Sequence, residues 1–153
     1  MQEELQKLKE EFDQRIKELE GKYKSEEEWP KVRDDYWTID SFGEVVRFSW
    51  LDDPVDNIVL NNNAIFKTKE EAQFEAERLK VLRELEKMGR PFEPGKYNYL
   101  IHFDHFKREL KASGYGQCQD AYGDFYFNTA VEARQAIEEI GEERIKKYLF
   151  GVQ

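Results

Sequence analysis

The sequence predicts an α+β fold: an N-terminal helix, then two β-β-β-α repeat units with antiparallel strands and helices packed on one face. Three observations carry that expectation. Apolar residues spaced three and four apart run through residues 2–24. Aromatic and β-branched runs alternate with turn residues over 36–66 and again over 97–127. Each series ends in a Thr-led helical pattern, and Phe66, Thr68, Glu71 and Ala72 match Phe127, Thr129, Glu132 and Ala133 at a constant offset of 61 residues. Duplication explains the match; so does convergence, because a strand ending in a Thr-capped helix demands similar residues locally.

The first element rests on Leu5, Leu8, Phe12, Ile16, Leu19 and Tyr23, set among Glu and Lys, which predict a polar helix with one narrow apolar stripe. The stripe covers about three heptads with one slip at Ile16, short for an autonomous coiled coil and compatible with packing onto the rest of the chain or onto a second copy. Leu5, Leu8, Phe12, Ile16 and Leu19 are therefore candidate oligomerisation residues. Gly21 weakens the helix and Pro30 stops continuation beyond Trp29, so residues 25–34 read as a connector.

Tyr36 to Asp40 and Val45 to Trp50 flank the turn residues Ser41 to Glu44, which predicts a hairpin. Leu51 to Asn63 is rich in Asp, Pro and Asn and reads as a loop interrupted by Ile58-Val59-Leu60. Ala64-Ile65-Phe66 gives a short third strand. Thr68 with Glu71 forms a capping-box signal, and Ala72, Ala76, Leu79, Leu82 and Leu85 mark the inward face of a helix ending near Gly89. After the loop at 89–95 the order repeats: strand Tyr97 to Phe103, a second strand near Leu110, a third at Asp124 to Phe127, and a helix from Ala130. The expected organisation is a charged amphipathic helix at 1–28, a first strand-helix unit at 29–90 and a second at 91–153.

Composition narrows the function classes. A charged fraction of 37% is offset by 14% aromatic residues, enough large side chains to build a core. The single cysteine, Cys118, excludes an intrachain disulfide. No run approaches the roughly 18 apolar residues of a membrane span, and the opening MQEELQKLKEEF lacks an apolar signal-like core, so a cytoplasmic location is expected. The net charge is −9, and residues 34–63 hold seven carboxylates against the single Arg47, a net of −6. That stretch disfavours direct contact with nucleic-acid phosphates or membranes and suits a basic protein partner; a solvated face that aids solubility is the plainer account.

The runs Tyr36-Trp37-Thr38-Ile39, Gly43-Glu44-Val45, Asn63 to Ala72 and Glu77 to Leu82, with Ile140 to Phe150 near the C-terminus, resemble a group of small proteins in phages and prophages of Gram-positive bacteria. The resemblance spans about residues 36–150 and leaves the N-terminal helix uncovered. It implies an accessory role in the host cell, often inhibition of a host defence protein or another host enzyme, anti-CRISPR function among the options. It implies no catalytic motif.

No phosphate-cradling Gly-rich loop, metalloprotease helix or nucleophile elbow is present, so the chain reads as non-enzymatic and without a cofactor. His102, Asp104 and His105, with Cys118 and Asp120 beyond, are the nearest approach to a metal set. On a strand His102 and Asp104 share a face that His105 leaves, so they read as surface or turn residues and no metal is expected. Asp52, Asp53 and Asp56 lack the spacing of a calcium loop. The aromatics, among them Trp37, Trp50, Tyr99 and Tyr122, alternate so that not all can face one core, which leaves some for recognition. Asp34, Asp35, Trp37, Trp50, Asp52, Asp53 and Asp56 form the expected partner-binding set, directed at a basic host protein such as a nucleic-acid-binding nuclease. Two alternatives stay open: a nucleotide-signal sponge using Trp37 or Tyr99 for the base and Arg47, Arg90 or Lys107 for phosphate, and an oligomeric assembly protein using the N-terminal helix.

Overall fold

The computed structural model describes residues 2–27, 29–115 and 125–152. Cys118, Asp120, Tyr122 and Asp124 lie outside the described residues, as do the side chains of Leu5, Leu8 and Tyr23. The elements in order are α1 (Gln2–Glu27), β1 (Asp35–Ile39), β2 (Val45–Ser49), α2 (Pro54–Asn61), α3 (Lys69–Met88), β3 (Asn98–Asp104), β4 (Glu109–Tyr115), α4 (Ala130–Ile140) and α5 (Glu142–Leu149). The class is α+β, with two small antiparallel sheets, β1-β2 and β3-β4. No helix among the described residues is long and apolar enough to cross a membrane.

Two compact units emerge, a smaller one of residues 1–38 with 46–68 and a larger one of 39–45 with 69–153. In the smaller unit α1 continues through Gly21, since one glycine costs a helix only about 1 kcal/mol. Alternation along β1 buries Tyr36 and Thr38, and Trp50 closes over the Tyr36 ring edge-on at 5.9 Å. The residues 51–63 are not the irregular loop that their composition suggests. Asp53 accepts hydrogen bonds from the N–H groups of Val55 and Asp56, both at 2.8 Å, Pro54 takes the first helical position, and Asp56 reaches back to the Asp53 N–H, so Asp-Pro-x-Asp starts α2. The expected third strand reduces to a single bridge, in which Phe66 and Trp37 exchange backbone bonds of 2.8 and 2.9 Å.

The larger unit is built around α3, which the sequence boundary at residue 90 had placed with the first hairpin. α3 packs with α4 and α5, and α4 covers β3 and β4. The core joins Val81 and Leu85 of α3 to Phe127, Ala133, Ala136, Ile137, Ile140 and Ile145. Val81 rather than Leu82 points inward; Leu79 and Leu82 are half-buried. β3 and β4 pair from Asn98 with Tyr115 to Asp104 with Glu109. Tyr99 faces Gly114 and covers it with its ring, and a Cβ at Gly114 would stand 3.1 Å from that ring. The third strand here reduces to two bridges: Phe127 exchanges bonds of 2.7 and 3.0 Å with Tyr99, and Tyr126 exchanges bonds of 2.9 and 2.7 Å with Arg90. Thr129 caps α4 through the Glu132 N–H, as its spacing predicts, and Gly141 at φ +100° separates α4 from α5.

Candidate interaction surface

The seven expected partner-binding residues all fall in the smaller unit, and most of their polar atoms are used to fold it. Trp50 is 4% exposed and Asp56 5%, which removes both from the surface. Asp56 accepts from the Tyr36 hydroxyl at 2.8 Å and the Leu51 N–H at 2.6 Å. Burial pushes the Asp56 carboxyl up, but the Leu51 N–H, the Tyr36 hydroxyl and the Asp53 and Asp52 N–H groups outweigh it, and the carboxyl titrates below its usual range. Burial, with Asp56 second, pushes the Tyr36 hydroxyl up to about 12. Asp53 is the α2 cap.

Asp35 is exposed but paired: Arg47 bonds it closely and Ser49 donates to its other oxygen at 3.0 Å. Those partners, Arg47 first, hold the Asp35 carboxyl below the usual range. Arg47 also sits 6.0 Å from the half-buried Trp37 ring, so the stacking face and cation of the nucleotide alternative serve each other. Asp34, half-buried, accepts from the Lys31 N–H at 2.8 Å, and the exposed Asp52 accepts from the Asn57 amide at 3.2 Å.

Residues that the sequence reading missed complete the surface. Val32, Leu51, Val55 and Ile58 are each about 60% exposed. Backbone bonds connect the segments that carry them: Arg33 donates to the Trp50 carbonyl at 2.8 Å and Trp50 to the Asp34 carbonyl at 2.7 Å, which brings the backbone at Val32 alongside that at Leu51. Asp56 ties Leu51 to the start of α2, on which Val55 and Ile58 stand one turn apart. The signal was present as the three-residue spacing of Val55 and Ile58, hidden by reading the segment as a loop.

In the larger unit an open groove of about 610 Å³ runs along α3 and α5 to the hairpin tip, lined by Glu44, Phe74, Glu77, Lys80, Lys147 and Tyr148 among others. Phe74 and Tyr148 stack at 5.0 Å, Lys80 donates to Glu77 at 2.9 Å, and Lys147 sits 5.2 Å from the Tyr148 ring. Arg90, expected as a phosphate ligand, is spent on Asn128, Asn98, Pro91 and Tyr97 at 2.7 to 3.2 Å. Lys107 is exposed in the β3-β4 turn, and Tyr99 is committed to Gly114. His102 meets Ser113 at 3.1 Å, Asp104 is bonded by Lys111, and His105 stacks on Phe103 at 4.9 Å.

No protein-family model matches the chain, and neither a curated protein nor a solved structure matches it significantly.

Proposed function

We propose that this chain is a non-catalytic binding protein of the phage accessory kind, acting in the bacterial cytoplasm by engaging and blocking a basic host protein. The observation that carries the reading is the exposed aliphatic set Val32, Leu51, Val55 and Ile58 beside Asp34 and Asp52. An apolar centre with charged residues at its rim is the composition of a protein interface, where the centre supplies affinity and the rim steers the partner. The rim belongs to a stretch of net charge −6, which favours a partner with a basic face, as a nucleic-acid-binding nuclease has. The resemblance to phage and prophage proteins supplies the setting, and host-defence inhibition is its sharpest form.

The same reading takes the two hairpin-to-helix passages as copies of one module. Phe66 bonds Trp37 and Phe127 bonds Tyr99 in the same reciprocal way just before each Thr-led helix. What distinguishes the first copy is α2 and the acidic surface around it.

The test is capture from a Gram-positive host lysate on the immobilised full chain, with captured proteins identified by mass. A basic protein should bind the wild type and be lost from Leu51→Asp/Ile58→Asp and from Asp34→Lys/Asp52→Lys. Capture unchanged in both variants sinks the surface. The groove beside Phe74 and Lys147 keeps a nucleotide alternative testable: a nucleotide at a hundred times its dissociation constant would add about 2.7 kcal/mol to the stability of the chain.

A further inference from the structure

The apolar stripe of α1 has a period that the heptad description obscures. Leu5 and Ile16, Leu8 and Leu19, and Phe12 and Tyr23 each stand 11 residues apart. Eleven residues in three turns is about 3.67 per turn, so the stripe keeps to one side of a nearly straight helix and the slip at Ile16 disappears. Along its described part the stripe is in water: Phe12 is 68% exposed, Leu19 47% and Ile16 41%. A polar helix of this length does not hold together well in water without burying its apolar face.

The flanking charges say what covers it. By sequence, one flank reads Glu4, Glu11, Arg15 and Lys22 and the other Lys9 and Glu20, so the sign reverses from the first 11-residue repeat to the second. In a parallel pair, positions five apart face each other across the seam, and Glu4 with Lys9 and Arg15 with Glu20 are of opposite sign. In an antiparallel pair one flank meets itself reversed, and Glu4 with Lys22 and Glu11 with Arg15 are again opposite. Each two-fold arrangement is complementary to the helix itself. Arg15 stands 3.6 Å from Glu18 of its own helix with both side chains exposed, a pair weak enough to exchange for a cross-helix partner.

We propose that α1 pairs with α1 of a second copy of this chain, forming a two-helix dimer with an 11-residue seam. The pairing needs no host target, so it stands or falls apart from the surface around α2.

Sedimentation of the purified full chain between about 1 and 200 μM tests it. The wild type should approach twice the chain mass as concentration rises, and Phe12→Glu/Ile16→Glu should sediment as a monomer throughout. Arg15→Glu/Lys22→Glu should weaken association about tenfold or more at low salt, with the difference shrinking as salt screens the flanks. A wild type that stays monomeric over the whole range overturns the proposal. So does a Phe12→Glu/Ile16→Glu variant that still dimerises, because then another surface pairs the copies. A monomeric wild type whose thermal stability falls with the same substitutions would show the stripe packing onto its own chain, which also overturns it.

Discussion

The Tyr36 hydroxyl donates a 2.8 Å hydrogen bond to the buried Asp56 carboxylate, tying the start of β1 to the first turn of α2. An aromatic strand residue and an acidic residue twenty positions away thus make the polar centre of the smaller unit. Removing either partner strands the other. Tyr36→Phe should cost about 1 kcal/mol, and Asp56→Ala about 2–3 kcal/mol because it leaves the Tyr36 hydroxyl and the Leu51 N–H without an acceptor. Denaturant unfolding of the two single variants and the double variant measures this; the double should cost less than the sum.

The same pair sets a pH signature with two limbs. The folded Asp56 carboxyl lies below its ordinary 3.8, so its contribution is present above 3.8 and lost as pH falls below that value. The folded Tyr36 hydroxyl is raised from 10.0 to about 12, so its contribution is present below 10 and lost as pH rises toward 12. Thermal stability of the smaller unit should therefore be level near neutrality and fall at both ends. Asp56→Asn should flatten the acid limb. In the larger unit Lys111, helped by the Lys107 and Phe106 N–H groups, holds Asp104 at about 2, so a salt-sensitive loss between 3.8 and 2 should vanish in Asp104→Asn.

Much of the chain was legible because periodicity and local chemistry agree. α1 follows from the Leu5 to Tyr23 stripe, α4 from Thr129 and its Glu132, and β3 and β4 from alternation around a polar turn. α2 was hidden by an ambiguity of alphabet, since Asp, Pro and Asn end strands and begin helices alike, and only the Asp53 to Asp56 spacing separates the two meanings. Among the described residues the third strands shrank to isolated bridges, Phe66 with Trp37 in the first and Tyr126 with Arg90 and Phe127 with Tyr99 in the second. Exposure was the least legible property. Whether Trp50 or Val32 faces water depends on the backbone bonds between 33 and 50, a tertiary fact with no local signal.

Gly89 marks a second close approach. It follows α3, and an added Cβ would lie 3.1 Å from the Leu85 carbonyl oxygen and 3.2 Å from both Phe125 Cβ and the Tyr126 carbonyl oxygen. Two of those three atoms are backbone and cannot swing aside, so Gly89→Ala should destabilise by about 1–3 kcal/mol. Gly95→Ala meets nothing within 4 Å and should cost about 1 kcal/mol, from its φ of +81° alone. Chemical unfolding of the two variants separates crowding from backbone strain.

Arg90 should tolerate no replacement by lysine. Its fork reaches Asn128, Asn98, Pro91 and Tyr97, and Asn98 is fully buried with its oxygen also accepting from the Glu93 N–H at 3.0 Å. Lysine keeps the charge but offers one point of donation instead of a planar fork. Arg90→Lys is expected to cost about 2 kcal/mol, with amide exchange quickening at Asn98 and Asn128, whose side chains lose those bonds.

The proposed surface makes its sharpest prediction through residues of opposite burial. Leu51 is 63% exposed and Ile58 59%, so Leu51→Ser and Ile58→Ser should shift stability by about 0.5 kcal/mol or less while weakening partner capture severalfold each. Trp50, one residue from Leu51 and 4% exposed, should behave in the reverse way: Trp50→Ala opens the space against Tyr36 and costs about 3–5 kcal/mol. Any loss of capture in that variant would follow unfolding rather than the loss of a contact. Asp52→Lys, at a side chain bonded to Asn57 alone among the described contacts, should slow association with a basic partner more at low salt than at high salt. If Leu51→Ser and Asp52→Lys both bind as the wild type does while staying folded, the aliphatic and acidic residues around α2 are a solvated face, and recognition belongs elsewhere on the chain.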